Sequence, residues 1–216
     1  MDPTYYAQER AEMRAFIPAS AQRLLEIGCG AGGFVRGLKR TRPGSLHATG
    51  VEMMPNVAEA ARKVFDDVLE GSVEQVLPAL TAQAPFDCIV CNDVLEHLVD
   101  PWAVLRALRP LLAPGGCVVV SLPNIRYWPT ASALLWDGSW QYQNDGVLDR
   151  THLRFFTRSS LPALFEPAGF ELVQVQGINQ GRGRRAQLRD ALVNLLTLGR
   201  LKDTRYLQFA CVARPR

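Results

Sequence analysis

Four glycines fall within six positions of the segment Leu24–Phe34, LLEIGCGAGGF, directly after an apolar run. Ordering a glycine costs more backbone entropy than ordering any other residue, so an ordinary turn does not call for such a cluster. Between a strand and a helix, a glycine turn can tighten and let bare main chain approach a ligand. It also permits close packing of the helix on the strand, and the glycines alone leave both uses open.

The rest of the chain supplies the context. Short apolar runs alternate with helical patterns: strands at Arg23–Gly28, Leu46–Val51, Asp67–Leu69, Phe86–Asn92 and Cys117–Leu122. Helices are expected at Gly32–Lys39, Pro55–Val64, Ser72–Leu80 and Pro101–Leu111, with LAPGG as a turn into the fifth strand. Strands this short and this apolar belong in a parallel sheet covered on both faces. In the last third, TRSSLPALFEPAGF reads as a capped helix closed by glycine. A strand at Glu171–Gly177, an amphipathic helix near Gln187–Leu198 and a final strand over Tyr206–Ala213 complete the order. The aromatic segment Pro123–Phe156 stands out as a long insertion, and loops of that length usually have a task.

The chain of 216 residues suits a single domain over 1–216, with 123–156 as a substrate cap. No apolar run reaches the ~20 residues of a membrane helix. The first ten residues, MDPTYYAQER, lack a basic region followed by an apolar one, which argues against a secretory leader. Five cysteines, mostly inside apolar segments, suit reduced thiols and a cytoplasmic location better than a disulfide framework. Cys88 and Cys91 form a CxxC, but on a strand they point to opposite faces and no second Cys or His pair joins them, so no metal is expected. A net charge of +3 is too small for a uniform nucleic-acid footprint. The arginines of Gly181–Arg189 read either as a solvated loop and helix start or as a contact for an anionic partner.

Charge narrows the ligand at the glycine turn. Glu26 ends the first strand just before it, and a carboxylate there repels a pyrophosphate but attracts an ammonium or sulfonium. Glu52, in GVEMM at the end of the second strand and roughly 20 residues beyond the turn, suits the two hydroxyls of a ribose. Met53 is placed to lie against an adenine face.

These motifs together resemble the class I S-adenosylmethionine-dependent methyltransferases, over nearly the whole chain. LLEIGCGAGGF matches the first motif, Glu52 the ribose acid, and LEGSVEQV, FDCIVCNDVLEHLVDP and LRPLLAPGGCVVVSLPN match later motifs in order. The resemblance implies an α/β fold: a Rossmann-like, seven-stranded, mostly parallel sheet with helices on both faces and an antiparallel last strand. It implies S-adenosylmethionine as cofactor, held by Glu26, Gly28, Cys29, Gly30, Glu52, Met53, Ser72, Val73, Asn92, Asp93, Val94 and His97. Ser72 stands where the family often has an aspartate that reaches the adenine amine. Apart from the resemblance, TYYAQERAEMRAFIP reads as an amphipathic helix, either folded over the cofactor with Tyr6 and Arg10 meeting its carboxylate or simply a covering helix.

SLPNIRYW and DRTHLRFFT extend the resemblance to polysaccharide- and natural-product-associated methyltransferases. The resemblance does not fix the acceptor; the first reading is a small molecule, a sugar or secondary metabolite, methylated on oxygen, and an RNA or protein acceptor, or a non-catalytic partner of a biosynthetic enzyme, are the competing readings. Nucleic acid is disfavoured, since CNDVLE follows the fourth strand in place of the motif of base amino-methylases, and nothing in the sequence fixes the oligomeric state. A hydroxyl acceptor gains from a general base. His152 is the expected base, or the group that orients the acceptor, assisted by Asp149 or Arg150, with Asp93 as second candidate; the other use of His152 is to pin its loop. The aromatics Tyr127, Trp128, Trp136, Trp140 and Tyr142 either wall a substrate pocket or form the local core of a lid.

Overall fold

The computed structural model describes residues 8–42, 44–181 and 183–216. Seven strands form one sheet: β1 Arg23–Ile27, β2 His47–Glu52, β3 Asp67–Glu70, β4 Phe86–Asn92, β5 Leu112–Pro123, β6 Phe170–Gln180 and β7 Tyr206–Pro215, in the order β3-β2-β1-β4-β5-β7-β6. β1 to β5 pair in parallel, whereas β7 runs antiparallel to both β5 and β6. This is the Rossmann-like methyltransferase sheet that the resemblance implies.

Strand alternation divides the interior in two. On one face Leu25, Ile27, Ile89, Cys91, Val118 and Val120 pack against α3 (Val73–Gln83), α4 (Pro101–Leu108) and α6 (Leu161–Phe165). On the other, Leu24, Cys88, Val90, Cys117 and Val119 pack against α1 (Gly33–Thr41), α2 (Pro55–Ala61) and a short 3-10 helix at Ala11–Phe16. Both neighbours of the central strands are therefore apolar, which is why these strands carry no polar face. The two cysteines of the CxxC lie on opposite faces, and all five thiols are free and buried.

Three expectations change. LAPGG is not a separate turn: β5 begins at Leu112, and the pairing register with β4 shifts between Phe86 and Cys88, so the extra residues are taken up as a bulge where β5 starts. The segment 123–156 is not all loop, because α5 spans Trp128–Asp137 within it. The helix α7 (Arg184–Leu196) does carry a leucine stripe, but Leu188, Leu192, Leu195 and Leu196 face solvent rather than the sheet. Among the described residues, no helix is long and apolar enough to cross a membrane.

Candidate active site

The C-terminal ends of β1, β2 and β4 open into a cavity of about 670 Å³, within the usual range of ligand sites. In a parallel sheet this is the crevice where ligands bind. Its wall includes Glu26, Gly28, Cys29, Gly30, Glu52, Met53, Ser72, Val73, Asn92, Asp93, Val94 and His97, so all the residues expected around the cofactor are brought to one place. Arg10, Asp149 and Thr151 join them.

The glycine turn is held by both neighbouring strands. Gly28 has φ +66, and a Cβ there would stand 2.6 Å from Val94 Cγ2. Close packing against Val94 therefore accounts for Gly28. The Gly30 amide donates to Glu52 Oε2 at 3.0 Å, and the Met54 amide donates to Oε1 at 2.9 Å. Two backbone donors thus fix the Glu52 carboxylate at the cavity wall with further acceptor capacity on each oxygen. Met53 is 67% exposed beside it. Ser72 caps α3 in a reciprocal pair with Gln75, so its hydroxyl already has a structural partner where an adenine contact was expected.

Glu26 is buried, and burial pushes its carboxyl up to about 8. Asn92 Nδ2 donates to Glu26 Oε1 at 3.2 Å. Glu26 Oε2 and Asn92 Oδ1 are buried and lack partners among the described residues. Two orphaned acceptors in adjacent wall residues suit a cation with N–H donors, which is what S-adenosylmethionine brings. The residues present therefore fit this cofactor. Cys29 is no nucleophile, because burial drives its thiol pKa far up.

Three expected roles fall on side chains that are already partnered or turned from the cavity. Asp93, with φ +52, accepts from Ser121 Oγ at 2.7 Å, from Gln208 Nε2 at 2.8 and 2.9 Å, and from Arg10 Nη1. Four contacts occupy the four lone-pair sites of the carboxylate, leaving no free base. Arg10, paired with Asp93 and with Glu12 at 2.8 Å, is likewise not a free anchor for a carboxylate, and Tyr6 lies outside the described residues. His152 is 8% exposed and does not line the cavity. Its Nδ1 faces the Val147 carbonyl at 3.1 Å and its ring stacks edge-on against His97 at 4.7 Å. Its loop folds inward behind the wall, so His152 backs the site instead of reaching into it.

The cap contributes less than its aromatic content suggested. Tyr127, Trp128, Trp136, Trp140 and Tyr142 do not line the cavity, and Trp136 and Tyr142 are exposed at 77% and 56%. Arg150 is exposed. Arg182 and the side chains of Arg184 and Arg185 lie outside the described residues. Sequence reasoning passed over Glu96, which is completely buried, with both carboxylate oxygens unpartnered among the described residues. Burial, then the charge of Asp93, raises its carboxyl well above the ordinary range. Glu96, His97 and His152 offer donor atoms within 4.8 Å of one another, a clustering that the CxxC search could not find. Thr151 was missed as well, although it sits beside His152 in the sequence.

A family described as "Methyltransferase domain" matches residues 2–175. The ubiquinone biosynthesis O-methyltransferase of Xylella fastidiosa (strain 9a5c) is 31% identical over 191 residues, covering 81% of this chain and 71% of that protein. Among solved structures, a SAM dependent methyltransferase from Archaeoglobus fulgidus superposes with a TM-score of 0.71 at 18% identity, over 98% of this chain and 94% of the other. The N-terminal domain of EvdMO1, crystallised in the presence of SAH and D-fucose, gives a TM-score of 0.57 at 21% identity, over 100% and 84% of the two chains.

Proposed function

The chain belongs to the methyltransferase-domain family and is an S-adenosylmethionine-dependent enzyme, and from that premise we propose that it methylates a hydroxyl oxygen of a small molecule, a sugar or a secondary metabolite. The observation that carries this reading is the cavity itself. Its wall holds the paired orphan acceptors of Glu26 and Asn92, the backbone-held carboxylate of Glu52 and a histidine, His97. The relative's name as an O-methyltransferase supports an oxygen acceptor. The fold match to a domain crystallised with D-fucose keeps a sugar among the acceptors.

S-adenosylmethionine supplies an activated methyl on a sulfonium. What the chain adds is placement, exclusion of water and a destination for the acceptor's proton. Proximity and orientation together supply on the order of 7–11 kcal/mol in favourable cases. In this reading Glu52 takes the ribose hydroxyls, Glu26 and Asn92 the ammonium, and Met53 one face of the base. The segment 123–156 caps the opening through Asp149 and Thr151 alone.

The test is formation of methylated product and S-adenosylhomocysteine with catechol and D-fucose as hydroxyl probes, beside an amine probe and total RNA. Methylation of a hydroxyl probe, little changed between low and high salt, is the expected result. Methylation only of RNA, falling steeply with ionic strength, or only of the amine, overturns the reading.

A further inference from the structure

Resting on that reading of the acceptor, we propose that His97 Nε2 takes the acceptor's hydroxyl proton, and that Thr151 and Asp149 are positioning residues that lock the tautomer this requires. Burial pushes the Asp149 carboxyl up, but the hydrogen bonds from the Thr151 hydroxyl and amide, together with the nearby His152 and His97 rings, hold Asp149 below the usual carboxylate range. An ionised carboxylate only accepts. The Thr151 hydroxyl therefore spends its single proton on Asp149 Oδ1, at 2.6 Å, while the Thr151 amide donates to the same oxygen at 2.8 Å.

Thr151 Oγ1 also lies 3.0 Å from His97 Nδ1, and with its proton committed it meets the ring as an acceptor. The Thr151 carbonyl oxygen, 3.3 Å from the same nitrogen, can only accept. Two acceptors on Nδ1 mean that Nδ1 carries the hydrogen, and the lone pair is left on Nε2. Nε2 has no hydrogen-bond partner among the described residues, in a side chain that lines the cavity. Burial, then the nearby His152 ring, hold the His97 imidazole below its ordinary range, so the ring is neutral at neutral pH.

Two carboxylates act on His97, Asp149 and then Asp93. Asp93 is paired with Arg10, which it shares with Glu12. Burial raises the Glu96 carboxyl well above the ordinary range, and its Oε1 lies 4.0 Å from His152 Nε2. His152 gives its Nδ1 to the Val147 carbonyl. As the acceptor's O–H bond breaks, its proton passes to Nε2, its oxygen bonds the methyl carbon, and the electron pair of the carbon–sulfur bond returns to sulfur. The imidazolium so formed sits one hydroxyl away from the Asp149 carboxylate. The arrangement is that of a base whose far nitrogen is oriented by a polar partner.

The chain has three histidines, which makes nitrogen-15 spectra of histidine-labelled protein assignable with His47→Gln as reference. Wild type is expected to show His97 as the Nδ1–H tautomer. Thr151→Val is expected to move His97 toward the Nε2–H form and to slow kcat ~10–100-fold with the cofactor KM unchanged, while Thr151→Ser keeps the wild-type tautomer and rate. Asp149→Asn is expected to keep the tautomer and shift the acidic limb of the kcat profile to lower pH. An Nε2–H tautomer in wild type overturns the proposal, as does a Thr151→Val protein with unchanged kcat. Turnover that is lost on chelation and restored by a divalent metal overturns it too, because Nε2 would then be a ligand. The tautomer is read without any acceptor, so an Nδ1–H ring in a protein that methylates only amines sinks the hydroxyl reading and leaves the lock in place.

Discussion

Asn92 at the end of β4 donates its amide to Glu26 at the end of β1, and the remaining side-chain oxygen of each is buried without a partner. A polar pair that is half satisfied costs free energy in the empty protein and gains it back when a donor-bearing cation arrives. Because burial holds Glu26 at about 8, the free protein carries it mostly protonated at pH 7. Binding a cation there favours the ionised form and expels the proton.

Calorimetry at pH 7 in buffers of different ionisation enthalpy is therefore expected to show release of close to one proton on cofactor binding, vanishing well above pH 8. Glu26→Gln is expected to abolish the release and weaken affinity ~10-fold or more. Unchanged proton release in the variant would show that the proton comes from elsewhere. The same group sets a stability trend. Between its ordinary value of 4.5 and about 8, the folded chain binds more protons than the unfolded one, so stability falls as pH rises through that window. Thermal melts of Glu26→Gln are expected to lose that slope.

Glu52 has two duties, to the Gly30 and Met54 amides and to the ligand. Glu52→Ala is expected to lower stability by about 1–3 kcal/mol through the two stranded amides and to weaken cofactor binding ~10²-fold. Denaturant melts and titration calorimetry separate the two effects. A variant that melts early yet binds normally would remove Glu52 from the ribose.

Gly28→Ala places a methyl on Val94 in a backbone region that L residues avoid. A loss of about 1–3 kcal/mol is expected. Adding Val94→Ala should recover the steric part and leave the backbone part, about 1 kcal/mol. Full recovery in the double variant would mean that φ +66 carries no penalty.

The Arg10–Asp93 pair is partly buried, at 12% and 18% side-chain exposure. Arg10→Ala is expected to cost about 1–3 kcal/mol, below the figure for a fully buried pair because water screens what remains. Asp93→Asn with Arg10→Ala should cost less than Arg10→Ala alone, since no unpaired carboxylate is left. Melts of the three proteins check the order.

The sheet was legible because its signal is local: β4 runs over Phe86–Asn92 as the apolar run indicated, and the glycine and carboxylate spacing marked residues that line one cavity. The entry to β5 was not, because LAPGG reads as a turn and only its register against β4 shows these residues as a bulged strand. For α7 the period was readable but not the direction of its leucines, since amphipathicity says which residues share a face and nothing about what that face meets. On the acceptor side, DRTHL marked a loop in which Thr151 lines the cavity and His152 does not. Thr151 and His152 are neighbours on a turn, so one faces the cavity and the other the interior, and only the three-dimensional path decides which. Proton direction in a Thr–His contact depends on a third group, Asp149, and no linear pattern encodes it.

β7 is inserted between β5 and β6 although it follows both along the chain. A nascent chain that has completed β6 holds a strand with no neighbour to join, and the flank of β5 stays open until β7 is made. The last strand thus acts as a keystone. Before it arrives, the Asp93 side of the cavity lacks Gln208, and a partly synthesised molecule has no finished pocket with which to capture its ligand.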